Sequence, residues 1–141
     1  NIWGGKMADS MGPIKALSAI FSGLIVVLLV FSVTALNPIS AVVTILVWGA
    51  FAFGNVPGLQ VYVVKLAEKY SPDAVDVASG LNIAAFNVGI ALGSWGGGLI
   101  VANAGLMHTP WIGAIVVLGA LLLTRFSGML DKRGEQHATA H

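Results

Sequence analysis

The chain has 141 residues, of which 57% are hydrophobic and 9% charged, with a formal net charge of +1. Soluble domains carry about a quarter charged residues, so this composition cannot cover a water-facing surface. The small net charge gives no argument for nucleic acid or an acidic ligand as a partner, and no nucleic-acid partner is expected; the absence of cysteine excludes disulfides, thiol chemistry and cysteine metal sites.

The charge distribution is more informative than its mean. The 49 residues between Lys15 and Lys65 contain no Asp, Glu, Lys, Arg or His. The 48 residues between Asp76 and Arg125 contain a single ionisable residue, His108. One membrane span needs ~20 apolar residues, so each run holds two spans and a short turn. The expected fold class is an all-α membrane protein with four transmembrane helices. β-Barrel strands would require ~10-residue alternating segments, and no such alternation is present.

In chain order, residues 1–15 read as a glycine-rich, charged loop that includes Gly4, Gly5, Lys6, Asp9, Gly12 and Pro13. The first span is expected over 16–36. Asn37-Pro38 joins a capping residue to a first-turn proline, which ends one helix and starts the next. The second span is expected over 39–64, with Pro57 kinking or loosening it locally. Residues 65–76 form the polar centre of the chain. Within them, Ser71-Pro72-Asp73 has the form of a helix start, with a capping serine and an acid near the positive dipole end. The third span is expected over 77–101. Thr109-Pro110 repeats the capping signal, the fourth span covers 111–129, and 130–141 is a polar tail. The chain opens on Asn1 within an apparent loop, and it reads as the C-terminal portion of a longer polypeptide.

The third span carries Gly89, Gly93 and Gly97 at four-residue spacing. Small residues so spaced let helices approach closely in lipid, and a helix-packing seam is expected there. Amides are unevenly distributed, with Asn55 and Gln60 in the second span and Asn82 and Asn87 in the third. An amide is costly in hydrocarbon unless it faces a bundle interior or a wet cavity. The second and third spans should therefore face inward and the first and fourth outward. Two readings stand for Asn55, Gln60 and Asn82: cavity lining, or interhelical hydrogen bonds worth about 0.6 kcal/mol each. No carboxylate falls inside an expected span, so any proton relay is expected in the missing part of the polypeptide. No catalytic pair and no metal-ligand spacing can be assembled, so neither an enzyme, a cofactor nor a metal site is expected.

The opening Gly5-Lys6-Met7-Ala8-Asp9-Ser10-Met11-Gly12 resembles the Gly-x-Leu-Ala-Asp-Arg-x-Gly-Arg loop motif of the major facilitator superfamily. Pro57-Gly58-Leu59-Gln60 and the run from Ala85 to Gly93, continuing to Gly96-Gly97, are similar to helices 10 and 11 of its arabinose-efflux-permease-like drug/proton antiporters. This resemblance implies a C-terminal segment, helices 9 to 12 of a twelve-helix fold. It also implies export of sugars or small drug-like molecules by alternating access, with protons as coupling ion and the missing N-terminal part of the same chain as partner. Asn55, Gln60, Asn82 and Phe86 would then be substrate-cavity candidates, and Gly5, Asp9 and Gly12 the gating-loop residues. Ser10 stands where the motif has arginine and Pro13 where it has a basic residue, so the motif's charge network is reduced. The rival readings are a truncated, non-transporting remnant, a structural membrane module, or a complete four-helix exporter.

The basic residues Lys6, Lys15, Lys65, Lys69, Arg125, Lys132 and Arg133 fall in alternate connections and at the ends. The positive-inside rule then puts both ends of the segment and the central loop in the cytoplasm of a multi-pass protein of the cell (inner) membrane. Because the chain has no native cysteine, thiol scanning tests this directly. Asn103→Cys should react with an impermeant reagent applied outside intact cells, and Asp73→Cys should be protected. The opposite pattern would invert the topology.

Overall fold

The computed structural model describes residues 2–138, with side chains over 4–132. It has five α-helices: α1 (Ile2–Met11), α2 (Pro13–Thr34), α3 (Pro38–Tyr70), α4 (Val75–Ala104) and α5 (Thr109–Ala138). Single 3₁₀ turns at Pro72–Ala74 and Leu106–His108 precede α4 and α5. Four stretches are long and apolar enough to cross a membrane: Pro13–Thr34, Pro38–Tyr70, Pro72–Ala104 and Leu106–Lys132. The expected all-α membrane fold is the observed one.

The helix ends follow from local chemistry. Gly12 has φ 85° and ψ 151°, a left-handed conformation that favours glycine. Pro13 behind it sits at the first turn of α2, where its missing N–H costs nothing. Asn37 caps α3 as expected, its side-chain oxygen accepting from the N–H groups of Ile39 (3.0 Å) and Ser40 (3.4 Å). Gly105, at φ 88°, closes α4. Its N–H donates to the carbonyls of Ile100 (3.1 Å) and Val101 (3.2 Å).

Several boundaries differ from the sequence expectation. Residues 2–11 are helical, and the connection to α2 is Gly12 alone. Gly4 and Gly5 signal a loop by composition, but here they serve close approach. A Cβ on Gly4 would overlap the Gly54 carbonyl of α3, and one on Gly5 would lie 3.9 Å from Pro57. The second span continues past 64 to Tyr70, because Leu, Ala, Glu and Lys are all good helix formers and charge alone does not break a helix. Its helix also runs unbroken through Pro57. Ser71 makes no side-chain cap, and α4 starts only after the 3₁₀ turn. Thr109 belongs to α5, its hydroxyl donating back to the Leu106 carbonyl at 2.7 Å. The expected tail from 130 is helical as far as Ala138.

α2 forms the centre. Its Leu17, Ile20, Phe21 and Leu24 meet Leu121 of α5 in the core, flanked by Phe51 and Leu59 of α3 and Val117 of α5. Apolar helices gain nothing from leaving water once inside lipid, so this cluster is held by close packing. Small residues provide it on α5: a Cβ on Gly128 would sit 2.8 Å from Ile14 Cγ2, and Gly113 lies against Leu28. α4 is the reverse case, with no buried residue at all. Thus within this chain the first span is the most enclosed and the third the most open.

The Gly4–Gly54 contact yields a stability prediction. In the complete polypeptide, Gly4→Ala should cost about 1–3 kcal/mol by forcing α1 off α3. Gly98→Ala meets nothing within 4 Å, and should be neutral or stabilising by up to ~1 kcal/mol. Thermal unfolding of the purified protein in detergent would check both; equal effects would remove the close approach from the account.

Candidate substrate-facing site

α3 and α4 are joined by a polar node. Gln60 Nε2 donates to Ser79 Oγ at 2.6 Å, and Asn82 Nδ2 donates to Gln60 Oε1 at 2.6 Å. Ser79 and Asn82 are three residues apart and so share one face of α4. All three residues are partly buried. Their bonding satisfies part of each amide but not all of it. Gln60 keeps one N–H and Asn82 keeps its carbonyl oxygen and one N–H for further partners.

The node borders a cleft of about 450 Å³ lined by Val56, Pro57, Gln60, Ile83, Phe86, Asn87 and Ile90. Three of the four cavity candidates therefore lie together: Gln60 and Asn82 bonded, with Phe86 beside Gln60 in the cleft wall. Asn55 does not line this cleft. Its Oδ1 is buried without a hydrogen-bond partner among the described residues, which is costly for a carbonyl oxygen. Asn87, which would suit packing by its place beside the glycines, is exposed and lines the cleft. Ser79 was not a sequence candidate, although its spacing from Asn82 could have suggested it.

Gly89, Gly93 and Gly97 make no tight seam within the described residues. A Cβ on any of them would meet nothing within 4 Å. They line a wider apolar gap of about 800 Å³, opposite Leu28 and Phe31 of α2, Trp48 of α3 and Val116 of α5. The physical reason is that α4 is tied to α3 at the polar node and to α5 through the Leu106–His108 turn, and stands clear of α2 and α5 between them.

The loop-motif residues are separated from this site. Gly5 is half-buried against Pro57, Asp9 is exposed on α1, and Gly12 forms the α1–α2 link. The left-handed backbone explains the glycine at position 12.

A second polar cluster joins α3 to α5. The Tyr62 hydroxyl donates to Asp131 Oδ2 at 2.7 Å and lies 2.7 Å from Ser127 Oγ. By sequence alone Asp131 belongs to the polar tail. The four-residue spacing of Ser127 and Asp131, one helical turn, was the available signal.

Comparison with known proteins gives the family. The chain is 52% identical over 138 residues, 98% of its length, to the uncharacterised MFS-type transporter YtbD of Bacillus subtilis. It is 38% identical over 130 residues to the inner membrane transport protein YdhP of Escherichia coli K12, covering 90% of this chain. The chain belongs to the major facilitator superfamily. It spans 35% and 32% of those two relatives, about a third of each. Over 82 residues, 58% of this chain and 20% of the relative, it is 35% identical to a probable sugar efflux transporter of Helicobacter pylori. No protein-family model matches the chain, and no solved structure matches it significantly. Four spans on a third of the relatives' length agree with the last third of a twelve-helix major facilitator fold.

Proposed function

We propose that this chain is part of a secondary active transporter of the inner membrane that exports sugars or small drug-like molecules by alternating access, coupled to protons. The observation that carries the reading is the Gln60–Ser79–Asn82 node at the edge of the α3–α4 cleft. Buried polar groups in a membrane protein are expensive and mark substrate pathways. This node consists of amides and a hydroxyl, so it offers donors and acceptors but no charge. Such a set suits a neutral, hydroxylated molecule, and Phe86 supplies the apolar wall against which one face of a sugar ring packs. The relatives' names support both parts of the reading, one being an inner membrane transport protein and another a probable sugar efflux transporter.

In this reading α3 and α4 are helices 10 and 11, and their cleft opens toward the rest of the same polypeptide, which completes the cavity. Rocking of two six-helix halves about that cavity gives alternating access. Gly5, Asp9 and Gly12 sit at a cytoplasmic gate, and both ends of the segment are cytoplasmic. The lipid-facing surface is the row of exposed apolar residues such as Val33, Leu46 and Leu123.

The test is export of neutral mono- and disaccharides by cells expressing the complete polypeptide. Gln60→Leu leaves Ser79 and Asn82 without their partner, a loss of ~1–3 kcal/mol, and export should fall about five-fold or more. Unchanged export in Gln60→Leu and Asn82→Leu would remove the node from the substrate path.

A further inference from the structure

Several polar side chains in the spans close on their own helix. Ser22, Thr34, Thr44 and Thr124 each donate to the carbonyl four residues back, and the Asn103 amide does the same to Leu99 at 2.9 Å. Gln60, Ser79 and Asn82 close on one another. Asn87 does neither. Its side chain makes no hydrogen bond among the described residues, although Ile83 stands the same four residues back. It is exposed, and it lines the α3–α4 cleft together with Gln60 and Phe86. Asn87 lies eleven residues past Asp76, where the uncharged run begins. At 1.5 Å per residue that is ~16 Å along α4, near the middle of a ~30 Å hydrocarbon core. Facing lipid at that depth, an open carboxamide would have no partner at all.

We propose that Asn87 is the specificity-determining residue of the cleft, and that its carboxamide reads two adjacent hydroxyl groups of the transported molecule. The amide has what that needs, since its nitrogen carries two donors and its oxygen two acceptor sites. One hydroxyl accepts from Nδ2 while its neighbour donates to Oδ1, so both sides of the planar group are used in one orientation. Neighbouring hydroxyls on a ring are held at a fixed spacing by their carbon skeleton. An ether or an alkyl chain offers no matching donor and acceptor. The inference rests on the proposed transport function and narrows its substrate class to neutral molecules with vicinal hydroxyls.

Placement on α4 supports a division of roles. Ile83, Asn87 and Ile90 are four and three residues apart and form one stripe along the cleft wall. Asn87 therefore has an apolar side chain one turn away on either side. When the cavity closes over it, an amide without a partner is costly. That cost is what lets a hydrogen-bonding site reject a molecule that lacks the hydroxyl. Gln60 and Asn82 are already committed in part to each other, and they hold the two helices that form the walls. Asn87 is five residues from Asn82, ~7.5 Å along the helix, with Phe86 between them. The node fixes the frame, the ring of Phe86 supplies a flat apolar contact, and Asn87 keeps its whole bonding capacity for the bound molecule.

Exchange of radiolabelled hexoses across proteoliposomes carrying the complete polypeptide tests this, because exchange needs no coupling ion. D-glucose, D-galactose and D-mannose are measured first, then the monodeoxy analogues of whichever exchanges fastest. Wild type should exchange the parent sugar about three- to tenfold faster than the analogues lacking either of two adjacent hydroxyls. Asn87→Ala should bring the parent down to the rate of those two analogues and so erase that preference. An equal loss for the parent and every analogue would mean that Asn87 bonds another helix, and would overturn the proposal, as would a preference that survives in Asn87→Ala. Should Asn87→Ala fail to fold, Asn87→Ser, which keeps a single hydroxyl, must lose the preference at one of the two positions; retention at both overturns the proposal equally. These outcomes leave the transport reading standing. Wild type that exchanges none of the three hexoses also overturns the proposal, and the export measurement with Gln60→Leu then decides the transport reading separately.

Discussion

Inside hydrocarbon a polar side chain has only its neighbours to bond with, and this fixes where the helices of this chain are tied together. The chain places its amides and hydroxyls sparingly, and most interhelical polar contacts converge on α3. Gln60 meets Ser79 and Asn82 of α4, while Tyr62 meets Ser127 and Asp131 of α5. Near the opposite end Thr44 is 3.2 Å from Thr34 of α2. The apolar core of Leu17, Ile20, Phe21, Leu24 and Leu121 supplies packing. Polar contacts supply register, since a hydrogen bond tolerates far less sliding than a leucine cluster does.

This division of labour accounts for the contrast between α5 and α4. Both carry glycines. On α5, Gly113 and Gly128 take side chains of α2 and bring the helices together. On α4, the glycines face open space and the helix is anchored by its node and its turns. Substrate-facing helices of a transporter need purchase without being fully packed, because their other faces belong to the cavity and to the second half of the molecule. An α4 with a fixed polar anchor and otherwise free faces suits that role.

The fold was largely legible in the sequence because its strongest signals are lengths. Two uncharged runs of the right size dictate four spans, and Asn37-Pro38 has a side-chain oxygen and a ring that act locally. The errors came where one residue type serves two physical ends. Gly4 and Gly5 read as loop, yet they allow α1 to touch α3. Lys65, Glu68 and Lys69 read as the end of a span, yet a helix continues through charged residues once they reach water. Around the cleft, Phe86 came only from the family resemblance, whereas Gln60 and Asn82 were legible because amides stand out against hydrocarbon. Asp131 was not, because its significance depends on Tyr62, 69 residues away. No local pattern reports a contact at that separation.

The account depends most on Gln60 and Asn82 being bonded across two helices and not merely present in them. A double-mutant cycle on the complete polypeptide in bicelles measures this, using unfolding free energies of Gln60→Leu, Asn82→Leu and the pair. The account predicts a coupling of about 0.6 kcal/mol, and at most ~1.7 kcal/mol, as found for interhelical hydrogen bonds in membranes. Additive costs, within about 0.3 kcal/mol, would mean that α4 is held to α3 by something else, and the polar node would lose its place at the centre of the site.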